Sequence, residues 1–215
     1  MMALHQVEDP VAQSEHFASG RNTMRRATAA CENVQDIMNI LVTAEALTVT
    51  ALGQALANAA SGQLALNAEH VQMLTAAHAQ EHAHYQFLAG MHAKPSTTTF
   101  TIEEKIVTDV PSFLKTLIWL EEWSIAAYLA AAQEFGILNQ PAMVQLAMSI
   151  ASVEAEHRVG VRFFAIEAGV ISGLPNDIGF QQAFFAGAGD AAGALRQKGF
   201  IGGRGPRITL PQSRS

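Results

Sequence analysis

Apolar residues recur at helical spacing through four long stretches of this chain. From about Asn33 to Asn58 the pattern runs Ile37, Ile40, Leu41, Ala44, Leu47, Thr48, Ala51 and Leu52, the repeat of one buried helix face. A second stretch opens at Asn67, whose side chain suits a helix N-cap. It sets Val71, Leu74, Ala77, Glu81, His84, Leu88 and Met91 on one face, and Lys94-Pro95 ends it. A third begins near Val110-Pro111, since proline is tolerated in a first turn, and reaches about Phe135-Gly136. A fourth runs from near Gln140-Pro141 to about Gly169. The pattern predicts four helices, preceded by an arm (residues 1–32) and followed by an extension (173–215).

The connections predict how those helices are wired. The first and last are short, near 60–66 and 136–140, as antiparallel neighbours require. The middle segment, 95–109, is Ser/Thr-rich and then charged, without sustained helical pattern. About 15 extended residues reach ~50 Å, whereas a helix of ~27 residues is ~40 Å long. The segment is long enough to cross the whole bundle, so helices two and three are expected to run parallel. After Gly173-Leu174-Pro175, Phe, Gly and Ala dominate, and a short helix near 180–195 with an extended tail is expected.

Composition adds a constraint. Charged residues make up 15% of the 215 and hydrophobic residues 49%, against ~25% charged in ordinary soluble domains. A lone bundle needs a charged outer face, so a homo-oligomer is expected. The net charge of −6 argues against nucleic acid as the main partner. The basic run of Arg196, Lys198, Arg204, Arg207 and Arg214 reads as a solvated tail or docking arm. The single cysteine, Cys31, excludes an internal disulfide. No uninterrupted apolar run of membrane-spanning length is present, and Arg25-Arg26 lacks the apolar segment of an export signal. A cytoplasmic protein without a membrane partner is expected. Met38, Met73, Met91, Met143 and Met148 read as core filler.

The chemistry lies in four positions on apolar faces. Two Glu-x-x-His words, Glu81/His84 and Glu154/His157, sit within the second and fourth helices. Residues three apart share a helix face, and the second pair shares its face with Ala147, Ile150, Val161 and Phe164. With 14 Glu and 8 His in the chain, chance yields two such words about one time in ten. Glu45 is the only charged residue between Asp36 and Glu69, and burying a lone carboxylate costs several kcal/mol unless it is paired or coordinated. The third helix offers Glu121 or Glu122, pointing ~100° apart. Glu121 aligns with Leu114, Leu117, Ile125 and Tyr128, Glu122 with Ile118, Ile125, Ala126 and Leu129. Glu121 is favoured, which sets Tyr128 on the same face as a hydrogen-bond partner or redox relay, or simply as a core tyrosine. Four carboxylates and two imidazoles suit two divalent metals, iron first and manganese second, with Glu81 and Glu154 bridging and Glu45 and Glu121 terminal. Zinc would fit without redox chemistry. The cysteine pairs of a rubredoxin-type electron donor are missing.

At Leu41-Val-Thr-Ala-Glu45, Glu81-His-Ala-His84, Leu120-Glu121-Glu-Trp-Ser-Ile-Ala-Ala-Tyr128 and Ser152-Val-Glu154-Ala-Glu-His157 the chain resembles the ferritin-like superfamily. It looks most similar to the group that includes plant desiccation-related proteins. The resemblance implies an all-α four-helix bundle with one long crossover between helices two and three. It also implies a di-iron centre held by Glu45, Glu81, His84, Glu121, Glu154 and His157. The expected function is a di-iron oxidoreductase that oxidises Fe(II) or reduces O2 or H2O2. The alternative is a structural, stress-protective protein whose metal only stabilises the bundle.

Overall fold

A computed structural model describes residues 32–211. It contains helices α1 (Val34–Ala60), α2 (Ala68–Gly90), α3 (Glu104–Thr108), α4 (Val110–Ile137), α5 (Pro141–Glu167) and α6 (Ala188–Gln197). Two short strands complete it, β1 (Thr99–Thr101) and β2 (Arg207–Thr209). The helix starts follow from local chemistry. The side chains of Asn33, Asn67 and Asp109 accept from the N–H groups of Asp36, His70 and Ser112, each satisfying a donor that the first turn leaves free. Pro111 and Pro141 occupy first turns, where no N–H is needed. Gly62, at φ 77, takes the left-handed conformation that turns α1 into α2.

The crossover can be traced by its hydrogen bonds. The Lys94 N–H donates to Asn39 Oδ1 at 2.7 Å and the Ser96 N–H to Thr43 Oγ1 at 2.9 Å, near the start of α1. Further along, Asn58 Nδ2, near the end of α1, donates to the Val107 carbonyl at 2.8 Å. From Asn39 to Asn58 the helix rises ~28 Å. The segment therefore traverses the bundle and α4 starts at the end where α2 starts, so these two helices run parallel as expected. The segment is not structureless. β1 pairs antiparallel with β2, Phe100 opposite Ile208, and α3 follows. Both strands are too short to show alternation, and their partners lie over a hundred residues apart.

Burial is uneven among the four long helices. α1 buries 16 of 27 residues and α4 16 of 28, but α5 buries 9 of 27 and α2 only 4 of 23. The inner pair gains its cover from α6 and the C-terminal segment. Trp123 Nε1 donates to the Ala191 carbonyl at 3.1 Å, Trp119 stacks on Phe200, and Lys198 sits 4.9 Å above the Trp119 ring. α1 is long and apolar enough to cross a membrane, at mean hydropathy 1.5, yet 72% of that window is buried inside the bundle. This is the pattern of a core helix.

Some expectations are corrected. Met73, Met91 and Met148 are exposed, at 44%, 37% and 45%, while Met38 and Met143 are buried. Helical spacing marks a face but not whether another element covers it. The last helix begins at Ala188 rather than near 180, because Glu134 Oε2 accepts from the Ala188 N–H at 2.8 Å and fixes the start there. Gly187 leaves room for that carboxylate, since a Cβ there would lie 3.1 Å from Glu134 Oε1. Expectations for the arm, including Cys31 and Arg25-Arg26, and for Arg214 concern positions outside the described residues.

Candidate metal centre

The four long helices each send acidic or imidazole side chains to the middle of the bundle. α1 contributes Glu45, α2 Glu81 and His84, α4 Glu121, and α5 Glu154 and His157. All four carboxylates are 1–2% exposed. Their ligand atoms form two overlapping sets. Glu45, Glu81, His84 and Glu154 offer atoms all within 4.8 Å of one another, and so do Glu81, Glu121, Glu154 and His157. Glu81 and Glu154 belong to both. His84 Nδ1 lies 3.2 Å from Glu154, 3.6 Å from Glu45 and 3.8 Å from Glu81. His157 Nδ1 lies 2.9 Å from Glu81, 3.8 Å from Glu154 and 3.9 Å from Glu121.

These separations test whether cations fit. Atoms bound ~2.1 Å from one ion stand roughly 3–4 Å apart around it, the range seen about each imidazole. The polar atoms are also unsatisfied. Glu45 Oε2, Glu81 Oε1, both Glu154 oxygens, His84 Nδ1 and His157 Nδ1 are buried without a well-aligned hydrogen-bond partner. Buried polar groups left so cost roughly 1–3 kcal/mol each, more when charged. A cluster of four buried carboxylates is held together only by positive charge, from imidazolium or from metal. The residues therefore fit a bound cation, and Glu81 and Glu154 are common to both sets.

The electrostatics of the cluster without metal tell the same story. Burial first, then the Glu81 charge, raises the Glu45 carboxyl to about 8 against the pull of His84. Burial, then the Glu154 and Glu81 charges, holds Glu121 well above the usual carboxylate range. For His84 burial works downward, but contacts with Glu154, Glu45 and Glu81 together outweigh it and lift the imidazole to about 12. In His157 burial likewise works downward, and Glu154 and Glu81 carry it up to about 9. Without metal, imidazolium protons stand where cations would.

The choice between Glu121 and Glu122 resolves in the geometry. Glu121 joins the cluster, whereas Glu122 accepts from Arg158 Nε of α5 at 3.0 Å. Arg158 also donates to Asp177, tying the segment after α5 to the bundle. Tyr128 is 1% exposed and donates its hydroxyl hydrogen bond to Glu45 Oε1. Burial, then the Glu45 charge, pushes its phenol well above 10. Two contributors escape sequence reading. Gln80 Oε1 lies 2.7 Å from His157 Nε2 and orients the ring so that Nδ1 faces the carboxylates. Its neighbour Glu81 offered a hint, because one residue before a ligand is one helix step toward solvent. The Arg158–Glu122 pair, formed across α4 and α5, left no local signal.

A helical bundle with two such sets at its centre belongs to the class of proteins built around a carboxylate–histidine cluster able to bind metal. A family model for the ferritin-like domain matches residues 33–166. That is well over half of the chain, and it includes all six cluster residues. The chain belongs to the ferritin-like domain family. No curated protein and no solved structure matches it.

Proposed function

We propose that this protein is a di-metal oxidoreductase. It carries two irons, with manganese as the second choice, and oxidises Fe(II) or reduces O2 or H2O2. The observation that supports this reading is the overlap of the two ligand sets at Glu81 and Glu154, because ligands shared by two metals would keep them close enough to act together on one oxidant. Glu45 and His84 would complete one position, Glu121 and His157 the other. Two such irons supply two electrons to one oxidant. The chain's own residues do the rest. The four buried carboxylates balance the metal charge, Gln80 and Tyr128 orient His157 and Glu45, and the apolar packing of α1 and α4 keeps water away from that side.

Elemental analysis of protein from iron-supplemented cells tests the reading first, with about two metals per chain expected. Stopped-flow measurement of Fe(II) oxidation and peroxide consumption, with Glu81→Ala as the comparison, tests the chemistry. Protein that binds iron but consumes neither oxidant would overturn the redox assignment and favour a metal that only stabilises the bundle. The same proposal includes self-association, supported by exposed Met73, Phe87, Met148 and Phe163 on α2 and α5 and by the low charge of the chain. A monomer by light scattering at micromolar concentration would refute that part.

A further inference from the structure

A cavity of about 190 Å³ opens between α2 and α5 and reaches the cluster from the His157 side. Its interior is formed by Leu52, Leu74, Leu117, Val161 and Phe164, all buried. Glu121 and His157 lie at its inner end, and Met73, Ala76 and Glu156 form its exposed lip. An apolar chamber ending on a polar, metal-fitting cluster has the layout of a small-molecule site, where apolar walls give affinity and a few polar groups fix orientation. The volume sets the size of the guest. An engineered apolar cavity of ~150 Å³ stays dry and binds benzene, so this chamber accommodates a monocyclic aromatic or a similarly compact apolar molecule.

Gly160 points to the same use. It sits inside α5, where glycine is a poorer helix former than alanine, and it lines the mouth. A Cβ there would meet only the flexible end of Met73, at 4.0 Å, so no backbone contact demands glycine. Its effect is to leave the mouth open. A hydrated Fe(II) ion would gain little from such walls, since stripping its water in an apolar channel is costly; an apolar organic molecule would gain from every contact.

We propose that the α2/α5 cavity binds a compact apolar organic molecule, of about the size of toluene, with one end against Glu121 and His157. The adjacency to metal rests on the di-metal reading above; the binding itself does not. Toluene is the probe. Its binding to metal-free and metal-loaded protein is followed by calorimetry and by ligand-observed NMR, in wild type, Gly160→Leu and Gly160→Ala. Saturable binding by wild type is expected. Gly160→Leu should weaken it at least about tenfold by filling the mouth, while Gly160→Ala, a single methyl, should leave it within about twofold. Both variants replace a helix-interior glycine, so folding should be retained or improved. With Mn(II) in the cluster, toluene proton relaxation should be enhanced over the Zn(II) form. No saturable toluene binding, or binding untouched by Gly160→Leu, overturns the proposal. Toluene binding in a protein that takes up no metal would uphold the cavity and defeat the di-metal reading. Metal uptake without toluene binding would do the reverse.

Discussion

The inner and outer helices of this bundle carry the cluster in opposite ways. α1 and α4 are buried over more than half their length, and each supplies a single carboxylate, Glu45 or Glu121. α2 and α5 are much more exposed, yet they supply both imidazoles and both shared carboxylates. The inner pair is held by packing, under α6 and the tryptophan contacts of the C-terminal segment. The outer pair barely meets across the cavity between them, each packing instead on one inner helix, α2 on α1 and α5 on α4. Between α2 and α5, where apolar contact is thin, the cluster is what joins the two helices.

That contrast predicts unequal effects within the cluster. Glu154→Ala or Glu81→Ala removes a carboxylate common to both sets and should abolish binding of both metals, from about two per chain to near none. Glu45→Ala touches one set, so about one metal should remain, held by Glu81, Glu121, Glu154 and His157. Elemental analysis of the purified variants, with circular dichroism to verify the helices, decides the matter. Equal loss in all three would mean that the two sets are not bridged halves of one centre.

Metal removal comes next in size. A ligand at a thousand times its Kd stabilises by about 4 kcal/mol, and for a domain of this size each kcal/mol moves Tm by about 2–4 °C. Chelation should therefore lower Tm by about 10 °C. Hydrogen exchange should rise mainly in α2 and α5, with α1 and α4 still protected. Uniform loss of protection would break the distinction between inner and outer helices.

How much of this was legible in the sequence follows the same division. α1 announces itself, because an isolated Glu45 on an apolar face has no cheap alternative to the interior. The two Glu-x-x-His words were equally plain, since three-residue spacing is local. What the pattern could not show were decisions made across the fold. Glu121 and Glu122 are separated by Arg158 on another helix, which claims Glu122. The start of α6 is set by Glu134, more than fifty residues earlier, so the phenylalanines at 180–185 suggested a helix too soon. Met73 lies at the lip of the cavity and Met148 is exposed on α5, and nothing in the pattern of one helix says whether a neighbour closes over it.

Acidity provides a smaller effect with a definite sign. Glu45 in the metal-free fold sits at about 8, above its ordinary 4.5. The fold thus favours its protonated form, and the associated stability is full below pH ~4.5 and lost as pH rises toward 8. His84, raised to about 12, contributes stability that is full below its ordinary 6.5 and lost only as pH climbs toward 12. The metal-free protein should therefore lose stability steadily between pH 5 and 9. Metal binding displaces these protons and so strengthens over the same range. Melting curves with and without metal should diverge as pH rises; parallel curves would show that the ions and the protons do not compete for one site.

The smallest change should come from the orienting groups, and here the inner and outer helices differ again. Gln80 lies on the exposed side of α2 and reaches His157 Nε2. Losing such a partner usually weakens metal affinity 10–100-fold by freeing the ring to rotate, so Gln80→Ala should lower affinity at the His157 position within that range and leave Tm of the metal-free protein nearly unchanged. Tyr128→Phe removes the buried donor to Glu45. In the packed interior Glu45 cannot swing away or recruit water, so the cost should fall on the fold, about 1–3 kcal/mol, and metal affinity should change less. Isothermal titration and thermal melts of both variants separate the two. If Gln80→Ala costs stability and Tyr128→Phe costs affinity, the cluster is organised by its inner helices after all. The opposite pattern would mean that the exposed helices hold their ligands through hydrogen bonds to the imidazole, while the buried ones hold theirs through packing.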